Sequence, residues 1–187
     1  MKTVGKLPLK LLTTLVLVFL FIQGSFRGSV AVEVMSPTPT PVAEVNSFEL
    51  FWPMVAGRTV EDPLFFLKRL KENLRGWLIF SPSKKADYSV FLLTKRVLEA
   101  EKLINQSRKD PAQKTLILAQ GELAAGDKNL TKALENKDVS GDVRSNMVKR
   151  LNNLETFLKW FIPKSGEEYK SNLEDLLGKV QSMTGKL

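Results

Sequence analysis

The sequence predicts an all-α protein: an antiparallel bundle of three to four helices with short accessory helices, preceded by an amino-terminal signal or anchor segment. Three observations lead there. Apolar residues recur at steps of three and four along most of the chain beyond residue 62. Prolines fall just after capping side chains rather than inside the periodic runs. No stretch sustains the two-residue alternation of a half-buried strand. Val90 to Leu93 is β-prone alone, but a seven-residue pattern runs past both its ends.

The amino terminus comes first. Lys2, Lys6 and Lys10 flank an uncharged, mostly apolar run, Leu11 to Ile22. That run is shorter than the roughly 20 residues that span a bilayer. Ser29-Val30-Ala31 places small residues where a signal peptidase cuts, so residues 1–31 read as a secretory signal. The competing reading is an uncleaved signal anchor, with the run continuing past Gln23 and Gly24 toward Phe26. Either one places the remaining chain outside the cytoplasm. Pro37, Pro39 and Pro41 make residues 32–47 an extended spacer, because proline at this density cannot continue a helix. Residues 48–162 form the expected bundle domain, and residues 163–187 an accessory carboxy-terminal helix.

Within the bundle, Asp62-Pro63, Ser81-Pro82 and Asp110-Pro111 each set a capping oxygen before a proline. The helix from about Pro63 to Leu78 gathers Phe66, Leu67, Leu70, Leu74, Trp77 and Leu78 on one stripe, with Lys68, Arg69, Glu72 and Arg75 opposite. Lys71 lies at the stripe's edge, and Phe65 falls on the polar side. The expectation is that the apolar stripe seats this helix on the next one. Phe51-Trp52-Pro53-Met54 is expected as a lead-in strapped across the bundle end.

The next helix, Pro82 to Asn105, carries a seam of Ala86, Val90, Leu93, Val97, Ala100 and Ile104, with further apolar residues on two other sides. It is expected at the centre, with Lys95, Glu99 and Lys102 as its wettest strip. From Pro111 to Glu135 the pattern is leaner. Gly121 and Gly126, each costing about 1 kcal/mol inside a helix, weaken the expectation of one unbroken element. Ser140 or Asp142 opens a helix with Val143, Met147, Leu151, Leu154, Leu158 and Phe161, stopped by Pro163. Ser165 with Glu168 forms a capping-box pattern for the last helix, expected to be peripheral.

Composition narrows the function classes. Cysteine and histidine are absent, which removes disulfides, thiolate nucleophiles, Cys/His zinc sites and imidazole-based triads. The net charge is +8, but four basic residues and no acid lie in residues 1–31, so only +4 remains beyond Ala31, and it is dispersed. A nucleic-acid interface needs a denser patch. Asp127-Lys128-Asn129 does not extend into a calcium loop, and no glycine-rich phosphate loop occurs. Glu72 and Glu99, on consecutive helices, are the carboxylates best placed to meet. They are expected to pair along their own helices, Glu72 with Arg69 or Arg75 and Glu99 with Lys95 or Lys102. No catalytic, cofactor-binding or metal-ligating residue is assigned.

The segment EDPLFFLKRLKE (Glu61–Glu72), with KKADY (Lys84–Tyr88) and TKRVLEAE (Thr94–Glu101), resembles an uncharacterised family of bacterial extracytoplasmic helical domains, a domain of unknown function, over residues 50–134. Asp62 and Pro63 stand at the start of the family's pattern, Lys68 and Glu72 at its polar positions, and Lys85-Ala86, Arg96 and Glu99-Ala100 on its second helix. Thr59-Val60-Glu61 departs from the usual lead-in, and Val97 stands where leucine is usual. The resemblance implies a location and a fold, and no reaction.

Three functional readings follow, in order. The first is a non-enzymatic cell-envelope domain binding a protein or wall component, with Trp52, Phe65 and Ile79 as the candidate interaction surface because they lie off the main seams. The second is membrane-surface association through the basic aromatic helix at 63–79. A nucleic-acid binder or carboxylate-based enzyme comes last.

Overall fold

The computed structural model describes residues 44–187, so the signal or anchor at 1–31 and most of the spacer lie outside the described residues. The described chain is all-α, with five substantial helices and no strand among the described residues. A short helix, α1 (Ser47–Leu50), precedes α2 (Phe65–Trp77), α3 (Pro82–Asn105), α4 (Lys109–Glu135), α5 (Gly141–Phe161) and α6 (Glu167–Thr184). A 3-10 turn, Ile162–Lys164, joins the last two.

Local chemistry explains most boundaries. Ser81 caps α3 through its side chain, which accepts from Lys84 N–H, and Pro82 opens the helix as predicted. Asp62 works one turn earlier than predicted. Its carboxylate accepts from Leu64 N–H and its carbonyl from Phe65 N–H, so Asp62-Pro63 forms a turn that feeds α2 rather than its first residues. Helix α4 begins at Lys109, ahead of Asp110-Pro111. The expected capping box at Ser165 is absent: Gly166 is the cap of α6, and Ser165 donates to the Ile162 carbonyl. Helices α3 and α4 both end in a left-handed residue, Ser107 (φ 57°) and Lys137 (φ 54°). The following amides return to Leu103 and Ala133 carbonyls, closing the last turns.

The core lies among α3, α4, α5 and α6. Helix α3 packs along α4 and against α5, while α6 closes against α4 and α5. Val90, Leu93, Leu103, Leu116, Leu130, Leu151, Leu154 and Leu158 are inaccessible to solvent or nearly so. Each such side chain contributes about 1.5–3 kcal/mol relative to exposure. Leu173, Leu176 and Val180 of α6 are equally buried, so the terminal helix is a core wall rather than a peripheral accessory. Helix α4 is continuous through both glycines. At Gly126 a Cβ would stand 3.3 Å from Ser89 Cβ and 3.5 Å from Met183 Cε, so glycine there lets α3 and α6 approach α4. At Gly121 a Cβ would meet nothing within 4 Å.

The lead-in straps across α5. Phe51 is buried against Phe157, ring centroids 5.8 Å apart, and Asn153 Nδ2 donates to the Leu50 carbonyl at 2.8 Å.

Candidate interaction surface: a helix with its charges turned inward

Helix α2 runs antiparallel to α3, and the pairings follow in order: Glu61 with Arg108, Lys68 with Glu99, Glu72 with Arg96, and Arg75 over the Tyr88 ring. At 100° per residue, Lys68, Glu72, Phe65 and Arg69 share one side of α2, with the exposed Arg75 at its edge. That side faces the bundle. The apolar stripe faces solvent, opposite to the sequence expectation. Phe66 is 64% exposed, Leu70 62%, Leu74 55% and Trp77 73%. Leu64, Leu67, Leu78 and Phe80 extend the same stripe and are also exposed.

Two residues of α3 account for the inversion. Arg96 and Glu99 are wholly buried and lie on the side of α3 that α2 covers. Arg96 donates to Glu99 at 2.7 Å and also to Glu72, while Lys68 donates to the other Glu99 oxygen and to the Arg58 carbonyl at 2.7 Å. On the other flank Arg69 reaches Glu122 of α4 at 3.0 Å. A leucine stripe laid on Arg96 and Glu99 would leave this buried pair only each other, with the remaining guanidinium N–H groups and carboxylate oxygen unsatisfied, and incompletely satisfied buried charges are costly. Turning α2 over supplies the partners instead. The intrahelical pairs expected for Glu72 with Arg69 or Arg75 and for Glu99 with Lys95 or Lys102 are therefore replaced by a network in which Arg96 holds Glu99 along α3 and Glu72 across to α2, and Lys68 reaches Glu99 from α2. The strip expected to be wettest divides: Glu99 is buried, Lys95 is half-buried and Lys102 is exposed.

Burial sets the electrostatics of this joint. Burial by itself would lower the Arg96 pKa, but the facing Glu99 and Glu72 outweigh it and hold the guanidinium above its ordinary value. Lys68 lies below its ordinary value because burial outweighs the pull of Glu99. Burial also raises Glu122, against the opposing pull of Arg69 and Arg96. Phe65 is explained as well: it sits inward, half-buried, with Lys68 Nζ 5.2 Å and Arg96 Cζ 5.4 Å from its ring centroid.

The three residues singled out in the sequence do not form one surface. Trp52 is 67% exposed and packs on Phe48, centroids 4.9 Å apart. Phe65 is half-buried on the inward side of α2, and Ile79 is half-buried just past its end. They lie 14 positions apart, roughly 20 Å at 1.5 Å per residue. The exposed stripe was missed because its pattern matches a core-facing helix. Phe65 on the polar side, and Arg96 and Glu99 inside an otherwise apolar helix, were the available signals.

Among the described residues no cluster of acidic side chains could hold a metal ion, and no helix is long and apolar enough to cross a membrane. The fold and surface thus define an all-α domain that displays an apolar helix face on a charged joint. The chain belongs to the family described as Domain of unknown function (DUF5667), whose pattern it matches over residues 57–158. That match begins later than the resemblance read from sequence and runs further, into α5. No curated protein and no solved structure matches the chain.

Proposed function

We propose that this is a binding domain rather than an enzyme, and that it docks on a membrane surface through the outward stripe of α2. One observation carries the reading: the stripe is exposed while the core closes without it. Its eight residues expose on the order of 900 Å² of mainly apolar surface, given that a large aromatic side chain alone accounts for about 150–250 Å². The largest patch on a typical monomer is about 300–600 Å². From Pro63 to Ala86 the single acid is Glu72, which faces inward, while Lys71, Arg75 and Lys84 are exposed. An apolar helix face rimmed by cations, with Trp77, Phe66 and Phe80 along it, matches the chemistry of a lipid interface. A second copy of the chain fits less well, since antiparallel pairing of two such stripes brings Lys71 against its own counterpart. The sequence reading of an exported chain points the same way. Catalysis finds little support, because the two buried carboxylates among the described residues, Glu72 and Glu99, are both engaged by Arg96.

The test uses residues 42–187. Every residue of the core cluster lies within Val45–Leu187, so this fragment keeps the whole core. It should float with phospholipid vesicles. Leu70→Ser with Leu74→Ser should abolish flotation and leave thermal unfolding unchanged. No flotation with neutral or anionic vesicles overturns the reading and returns the stripe to an envelope protein or wall component.

A further inference from the structure

Beside the stripe, α2 and α3 enclose a groove of about 540 Å³. Leu64 and Leu67 of the exposed stripe form one wall, and Tyr88 and Phe91 of α3 form part of the other. Its charges do not cancel. Lys68, Arg96, Glu72 and Glu99 make two cations and two anions, all engaged with one another. Arg58 has Asp62 at 3.7 Å. Three further cations line the groove: Lys71, Arg75 and Lys95. Lys71 and Arg75 have no ion-pair partner among the described residues. Lys95 stands 3.7 Å from a Glu72 oxygen that accepts no hydrogen bond. Arg75 and Lys95 rest over the rings of Tyr88 and Phe91, at 5.2 and 5.7 Å from the centroids, which holds both at the groove wall.

We propose that this groove binds a phosphate group, and that Lys71, Arg75 and Lys95 are its ligands. A surplus of about three positive charges beside aromatic walls favours a compact dianion or an anionic phosphodiester. Glu72 does not oppose this, because its charge is already balanced by Arg96. The groove adjoins the apolar stripe, since Leu64 and Leu67 belong to both. An anionic phospholipid lying with its chains on Leu64 and Leu67 would therefore place its phosphate among the three cations. In that form the inference rests on the docking role proposed above and gives it a lipid class.

The experiment titrates residues 42–187 with three probes: inorganic phosphate, and dihexanoyl phosphatidylglycerol and dihexanoyl phosphatidylcholine, both below their micelle concentrations. Binding is followed by amide chemical shifts. The expected result is saturable binding of phosphatidylglycerol, shifts centred on residues 64–75 and 88–95, and at least tenfold weakening in Lys71→Gln/Arg75→Gln/Lys95→Gln, whose thermal unfolding is unchanged. Equal binding of inorganic phosphate with the same dependence on the three cations keeps the phosphate site and assigns its source to free phosphate. No saturable binding of either anion, or binding indifferent to the triple variant, overturns the proposal. Failure of the docking role reads out separately, because the stripe variants at Leu70 and Leu74 leave the three cations in place.

Discussion

The core among α3, α4, α5 and α6 and the joint between α2 and α3 obey opposite rules. In the core, leucines and methionines meet and charges stay outside. At the joint, charges meet and leucines stay outside. Both surfaces are built from amphipathic helices of similar pattern. Periodicity therefore shows that a helix has two faces without showing which one the protein covers. The neighbour decides. Helix α3 presents the paired Arg96 and Glu99 to α2, and the charged side of α2 completes their partners through Glu72 and Lys68.

Breaking the joint should give the largest effect. Arg96→Met removes the buried cation that bridges Glu99 and Glu72, leaving Lys68 on Glu99 and Lys95 at 3.7 Å from Glu72, and should cost about 3–5 kcal/mol in urea unfolding. A loss below about 1 kcal/mol would mean that water enters the joint and solvates the carboxylates. The core responds through volume instead. Leu151→Ala should cost about 2–5 kcal/mol, whereas Leu70→Ala on the stripe should change stability by no more than about 0.5 kcal/mol. Equal costs would erase the distinction between the two regions.

Glycine substitutions probe how closely the core helices approach. Gly121→Ala enters open space and should stabilise by up to about 1 kcal/mol through helix propensity. Gly126→Val must displace Ser89 or Met183 and should destabilise by about 1–3 kcal/mol. The smallest effect concerns Glu122. Its pKa is raised in the folded state by burial, so the native protein holds that proton more tightly than the unfolded chain. Stability should then fall as pH rises from the ordinary carboxylate value through the raised folded value. Glu122→Gln should remove that part of the fall, as read from unfolding midpoints across mildly acidic pH.

Much of the fold was legible in the sequence. The seams of α3 and α5 appear in the core except at one end of each, where Ile104 and Val143 are half-buried against it, because unbroken steps of three and four leave one stripe to bury. Ser81-Pro82 gave the start of α3, since the cap and the proline act locally. The place of each helix was less legible. The buried residues of α6, Tyr169, Leu173, Leu176, Val180 and Met183, recur at helical steps in the sequence, but nothing local shows whether such a stripe lies at the edge or closes the core. Gly126 looked like a helix breaker, and only the approach of Ser89 and Met183 explains it. The interaction surface was the least legible feature. The stripe residues are expected inward and lie outward, whereas of the residues expected for recognition Phe65 is turned toward the bundle by α2, Ile79 is half-buried just past its end, and Trp52 is exposed.

The central claim is the orientation of α2, and the absence of cysteine from the chain makes it directly measurable. Leu70→Cys and Leu93→Cys are compared by maleimide labelling in the folded state, at concentrations where the chain sediments as a monomer. With the stripe outward, Cys at position 70 labels at close to its unfolded rate, while Cys at position 93 is protected by orders of magnitude. Protection at position 70 matching that at position 93 would mean that α2 lays its leucines on the bundle, and would contradict the account.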